Sequence, residues 1–275
     1  MTAYCSHLRL AFTAALLLLV SACSTVVQLP VRTDSVAGAG VPAVALADAR
    51  QGYARVLQRH VNDRGEVDFA ALRDDAGDSG IVALTDYLRA IAATPLEVPT
   101  MPEARLAHMI NAYNALSMYN VIASGIPLSH KGFAKVKFFV LRKFEIGGTA
   151  MSLYGFENDV IRKLGEPRVH FALNCSAVSC PVLPRAAFTA EGLNAELERE
   201  ARNFFARADN LHVNDAQRTV VFNEILKFYT EDFVPAHAQN LIAYAQRYTN
   251  QTIPPDYAVA FRPYDWTVAN SRRQR

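Results

Sequence analysis

The chain has 275 residues, 28 Lys and Arg against 26 Asp and Glu, and 51 % hydrophobic residues. A formal charge of only +2 gives no electrostatic footprint for nucleic acid, which needs a basic stripe, and the apolar content is enough to bury a sizeable core. Four cysteines are present, Cys5, Cys23, Cys175 and Cys180.

Residues 1–22 read as a lipoprotein signal peptide. Arg9 supplies the positive start, and residues 11–20 form an apolar run too short to span a bilayer comfortably. Val20-Ser21-Ala22-Cys23 then resembles a bacterial lipobox, so Cys23 is the expected lipidation site and membrane contact runs through its acyl chains. Ser24 in place of Asp resembles cargo sorted to the inner face of the outer membrane. The alternative is an ordinary cut after Ala22, with Cys23 a bystander. On the lipobox reading only Cys175 and Cys180 remain as thiols, in an oxidising envelope. Residues 23–45 read as a flexible tether and 46–270 as one domain.

Asp48 is expected to cap a helix to about Val61, with Tyr53, Val56, Leu57 and Val61 inward. Asn62-Asp63-Arg64-Gly65 is a turn, Val67-Asp68-Phe69 a short extended piece, and 79–93 a second helix. Pro102 opens a long helix that Gly125 and Pro127 stop near Ser124. It carries Asn111, Tyr113 and Asn114, candidate binding residues, because mid-helix amides on a partly apolar face need hydrogen-bond partners. Residues 137–151 read as a hairpin around Gly147-Gly148, and Ser152 as the cap of a helix to about Leu164 carrying Glu157 and Arg162, an expected ion pair. Val169–Leu173 reads as a strand, and Thr189 as the cap of a helix to about Ala208. Strands follow within 211–222, helices over 223–233 and 237–249, and an extended end at 257–261. Tyr264-Asp265-Trp266 is expected to clamp the chain end, with the only tryptophan buried. The fold class is α+β: a mostly helical single domain with a small antiparallel or mixed sheet.

Several motifs together resemble one family. They are Val67-Asp68-Phe69, Ile110–Leu116, Pro167–Cys175, Ser179-Cys180-Pro181 with Leu183, Phe228-Tyr229 with Asp232-Phe233, and Tyr264-Asp265-Trp266. The chain they span, about 67–266, resembles the bacterial branch of the domain of unknown function 547 family. The resemblance carries no established activity. One departure is Ser152-Leu153-Tyr154-Gly155, which lacks the acidic residues that commonly open that helix.

His170, Cys175 and Cys180 allow four readings: a Cys175–Cys180 disulfide, thiol catalysis, a metal site, or inert thiols. The oxidising compartment favours the disulfide. For catalysis Cys175, His170 and Glu157 are the right residue types, but on a straight strand His170 and Cys175 would face apart. Three soft ligands without a fourth argue against metal, and no cofactor motif is present. The expectation is a lipid-anchored envelope protein that binds an envelope protein, peptide or glycan. The alternative is a thiol-dependent hydrolase or transferase acting on an amide through Cys175 and His170.

Overall fold

The computed structural model describes residues 25–29 and 45–272; the signal peptide and Cys23 lie outside them. Thr25–Val26 (β1) precedes helices Leu46–His60 (α1), Phe69–Asp74 (α2), Ile81–Ala93 (α3) and Pro102–Ala123 (α4). Asp48 sits in the first turn of α1, where its charge suits the helix dipole, and the helix starts before it, without a side-chain cap. Asp68 does not extend a strand. Its carboxylate accepts from the Ala71 N–H at 2.9 Å and caps α2. Tyr53 of α1 stacks on Tyr87 of α3 with ring centroids 4.9 Å apart.

Helix α4 forms as its sequence requires, with Pro102 at its start and Gly125, at φ +77°, past its end. Every residue from Leu106 to Val121 is buried. A helix covered on all sides is a core element, and its polar residues must then find partners inside the protein.

Phe133–Val136 (α5) continues as a wide π turn over Lys137–Leu141, where the Phe-Phe-Val pattern suggests a strand. The turn buries Phe138 while Lys137 and Val140 stay outside, and the Asn120 side chain donates to the Phe138 carbonyl at 2.9 Å. The expected hairpin is displaced by a few residues. Arg142–Ile146 (β2) pairs antiparallel with Thr149–Ser152 (β3) around Gly147 and Gly148, both at positive φ. β1 lies parallel to β2, with Thr25 opposite Arg142 and Val26 opposite Lys143. Thr25 and Val26, read from sequence as part of the tether, are therefore held on a sheet.

Ser152 does cap its helix, accepting from the Gly155 N–H at 3.1 Å; Leu153–Gly155 (α6) widens into a π turn and ends at Gly165. The expected strand at 169–173 is instead a 3-10 helix, Pro167–Phe171. Pro167 presets helical φ, and the Glu166 carboxylate closes the turn by accepting from the Arg168 N–H at 3.0 Å.

The remainder comprises Leu193–Ala206 (α7), Leu211–Asn214 (β4), Thr219–Asn223 (β5), Ile225–Phe228 (α8), Thr230–Phe233 (α9), Leu241–Ala245 (α10) and Ala258–Arg262 (β6). Thr189 accepts from the Gly192 N–H just before α7 begins. The expected 223–233 helix is split, and the 237–249 helix is shorter. β5 pairs antiparallel with β4 and parallel with β6. The domain is thus α+β and mostly helical, with two small mixed sheets rather than one.

Among the described residues two large apolar cores result, with a small third cluster at Cys175, Ala177 and Cys180. The first surrounds α4; the second is built on Phe171, Phe204, Phe205, Phe222 and Phe233. The 3-10 helix bridges them, since Val169 packs in the first and Phe171 in the second.

A dithiol at the seam of two cores

A stripe of polar residues on α4 builds the site. The Asn111 side chain donates to the Phe188 carbonyl at 2.8 Å and accepts from its N–H at 2.9 Å. Asn114 donates to the Ala172 carbonyl at 3.0 Å and accepts from the Asn174 N–H at 2.7 Å. One turn on, the Ser117 hydroxyl meets that of Ser176 at 3.1 Å. Both asparagines are buried, as a helix amide on an apolar face should be, and they hold this chain's own loops. Sequence reading missed Ser117 and Asn120, although a polar residue at every third position from His108 to Asn120 was visible.

The loop after the 3-10 helix is fastened from both sides. Asn174 donates to the Pro181 carbonyl and accepts from the Ser176 N–H, both at 2.7 Å. Ser176 sits at φ +62°, a costly conformation for a non-glycine residue that these bonds enforce. The tail closes the other side: Val178 N–H donates to the Thr267 carbonyl at 2.8 Å, and Ala269 N–H to that of Ser176 at 2.8 Å.

This loop carries both thiols. Cys175 and Cys180 are free cysteines in this structure, not the expected disulfide. The turn does bring them together as expected, but into a thiol–thiol hydrogen bond. Cys180 Sγ also accepts from the Cys175 N–H and from the Tyr264 hydroxyl, each at 3.1 Å. Tyr264 lies 3.6 Å from Cys175 Sγ. Donating to Cys180, together with burial, pushes the Cys175 thiol well above its ordinary value. Burial opposes ionisation of Cys180 too, but the donors around it outweigh burial and bring its thiol below the ordinary value. The thiolate therefore belongs on Cys180, whereas the sequence favoured Cys175.

Among the described residues no hydrogen bond joins His170 to Cys175. Its Nε2 is 2.7 Å from Asp232 Oδ2, and its ring stacks on Tyr229 at 3.9 Å. Arg162 grips the same carboxylate with two bonds of 2.6 and 2.8 Å. Burial raises the Asp232 carboxyl, but His170 and Arg162 overcome that and hold it well below the usual carboxylate range. Glu157 is not the ion partner of Arg162: it is buried and accepts from the Tyr113 hydroxyl at 2.9 Å. The physical reason is the π turn, which directs Glu157 inward while Arg162 crosses to the 231–232 segment. A second imidazole at the thiol loop is one that sequence reading missed. His130 donates to the Cys175 carbonyl, and burial lowers it to about 4, so it stays neutral.

Above the thiols lies a cleft of about 50 Å³, lined by Tyr113, Phe139, Phe228, Tyr229, Tyr264 and Trp266 among others. Trp266 is half-buried at this rim rather than in the core. A larger opening of about 550 Å³ lies near Leu164 and Leu193, where Arg168 is already paired with Glu166 at 2.7 Å and Arg105 with main-chain carbonyls. Among the described residues no group of three or more His, Cys, Asp and Glu side chains could hold a metal ion.

Residues 99–205 match the family described as Protein of unknown function, DUF547. The DUF547 stretch contains α4, Glu157, His170 and both thiols. It stops short of Tyr229, Asp232, Tyr264 and Trp266, so the site also draws on residues beyond the DUF547 match. Neither the curated proteins nor the solved structures contain a match to the chain.

Removing the Tyr264 hydroxyl is expected to raise the Cys180 thiol and slow its alkylation at neutral pH by about three- to tenfold, since a bonded donor stabilises the thiolate. Iodoacetamide kinetics on Tyr264→Phe, followed by mass, measure this. An unchanged rate would mean that Tyr264 does not tune the thiol.

Proposed function

We propose that this is a lipid-anchored envelope protein whose Cys175–Cys180 pair exchanges disulfides with an envelope polypeptide bound at the aromatic cleft. One observation carries the reading: the two thiols are hydrogen-bonded to each other, and Cys180 also accepts from the Cys175 N–H and the Tyr264 hydroxyl, each at 3.1 Å. Among the described residues no hydrogen bond joins His170 to either thiol, and its Nε2 is held by Asp232. The anchoring part is supported by Val20-Ser21-Ala22-Cys23.

The chemistry balances without a cofactor. The Cys180 thiolate attacks one sulfur of the partner's disulfide, and the partner's other sulfur leaves as a thiolate. The Cys175 proton passes to that leaving group. The Cys175 thiolate then attacks Cys180 Sγ, breaking the mixed disulfide and releasing the second partner thiol. Two electrons move from the dithiol to the partner; the reverse sequence oxidises a partner dithiol.

The two steps separate in variants. Cys175→Ser is expected to accumulate a mixed disulfide on Cys180, while Cys180→Ser gives none above background. Non-reducing electrophoresis with mass spectrometry of the full chain reads both. A pair that stays fully reduced across glutathione redox buffers, or equal trapping by both variants, would sink the exchange reading. A protein that only binds would hold its partner equally well in either variant. Anchoring is tested separately: labelled palmitate should enter the wild-type chain and not Cys23→Ser. Label on the Cys23→Ser chain would remove the lipid anchor from the reading.

A further inference from the structure

From Ala104 to Phe144 the chain carries no acidic residue, yet Lys131, Lys135, Lys137, Arg142 and Lys143 crowd its last third. The same stretch exposes apolar side chains that a soluble surface normally hides. Leu128 is 88 % exposed, Phe133 70 %, and Val136 and Val140 44 % each. Residues 131–137 are exposed without a break. Among the described residues Lys131, Lys137 and Lys143 have no carboxylate partner. Scattered exposed apolar residues need no explanation, but a contiguous patch of them ringed by cations marks a contact surface.

The position of this patch says what it contacts. β1 runs parallel to β2, with Thr25 opposite Arg142. Thr25 therefore begins β1 at the end of the sheet where residues 137–141 enter β2. Cys23 is two residues before Thr25, so it stands within about 7 Å of it along the chain. An acyl chain on Cys23 would therefore be attached within a few residues of the strand that pairs with Arg142 and Lys143.

We propose that residues 128–140 form a second, non-covalent membrane contact, in which Leu128 and Phe133 enter the headgroup boundary of an anionic bilayer and the lysines bind its phosphates. The argument from position rests on the lipid-anchored reading above; the argument from charge and exposure does not. One acyl-anchored point leaves a domain free to swivel, whereas a second contact fixes its orientation. Phe139 of this segment also lines the thiol cleft, so docking would set the cleft mouth at the membrane surface. Each lysine at an anionic surface strengthens contact by about fivefold.

The test uses the full chain in vesicles of phosphatidylethanolamine and phosphatidylglycerol, compared with phosphatidylcholine alone. Amide hydrogen exchange over residues 128–140 should slow several-fold on the anionic vesicles only. The protection should vanish at about 1 M salt, where screening acts within about 3 Å. Leu128→Asp with Phe133→Asp should abolish it too, and both positions are exposed enough for the variant to fold. Unchanged exchange on the anionic vesicles overturns the proposal, as does equal protection on both. Protection that appears only when envelope protein is added would assign the patch to a protein partner and overturn it likewise. The mass of Cys23 in the same sample separates the two readings. An acylated chain without protection defeats docking alone, and protection of an unacylated chain defeats anchoring alone.

Discussion

Asn114→Ala is expected to lower stability by about 2–4 kcal/mol, among the largest effects of any single substitution in the protein. The substitution removes two buried hydrogen bonds, to the Ala172 carbonyl and from the Asn174 N–H, and leaves both main-chain groups without a partner. Asn174 itself fastens Pro181 and Ser176, so the loss spreads through the whole thiol loop. Urea unfolding gives the stability, and alkylation of Cys175 and Cys180 in the folded variant reports the loop. The expected pair of outcomes is a lower midpoint and faster labelling of both thiols. Asn111→Ala serves as the comparison, since it frees the Phe188 main chain and not the thiol loop. It should cost similar stability without the faster labelling. An Asn114→Ala midpoint equal to wild type would show that the amide does not hold the loop.

Acidification from pH 7.5 to 4.5 is expected to remove about 5 kcal/mol through two histidines. His108 and His130 are buried, each with an Nε2 that has no partner among the described residues, and burial lowers each to about 4. In the unfolded chain a histidine titrates near 6.5, so between 6.5 and 4 the unfolded state binds a proton that the folded state refuses. Stability therefore falls as pH drops through this window, by about 2–3 kcal/mol per histidine. Arg50 faces His108 and disfavours its protonation further. Asp232 acts at lower pH: its contribution is present above the ordinary carboxyl value and lost as pH falls through its depressed folded one. Since a domain of this kind is stable by only about 5–15 kcal/mol, a third or more of it is lost by pH 4.5. Urea midpoints at closely spaced pH values, for wild type and His130→Phe, provide the measurement. The variant should lose about half the slope between pH 6.5 and 4; an unchanged slope would mean that His130 is protonated in the folded protein.

The parts of the fold that were legible in the sequence are those specified locally. Helix α4 combines an unbroken apolar period with Pro102 and Gly125 at its ends, so its limits followed directly. The hairpin was announced by Gly147-Gly148, although its strands began later because Phe138 packs from a π turn. The Pro167–Phe171 segment misled because five residues rich in apolar side chains cannot distinguish strand from helix by period. Pro167 and the Glu166 cap were the deciding signals. At the site, the proximity of the two cysteines was legible from their spacing, and the buried amides from their place in an apolar helix. The partners of His170 and Cys180 were not, because Asp232 and Tyr264 come from segments 62 and 84 residues away and no local pattern reports such contacts.

The tail from Tyr264 to Ser271 makes one more demand on the protein. It lays its main chain against residues near 67, 129 and 177, through Asn270, Thr267 and Val268 respectively. These three places belong to parts of the chain made much earlier. During synthesis from the N-terminus, the thiol loop must therefore wait, with one wall missing, until residues 264–271 have emerged. A ribosome that stalls before Tyr264 would release a product with α4 and both cysteines in place but with its cleft open. Quality control need inspect only whether the cysteines react to know whether such a molecule was finished.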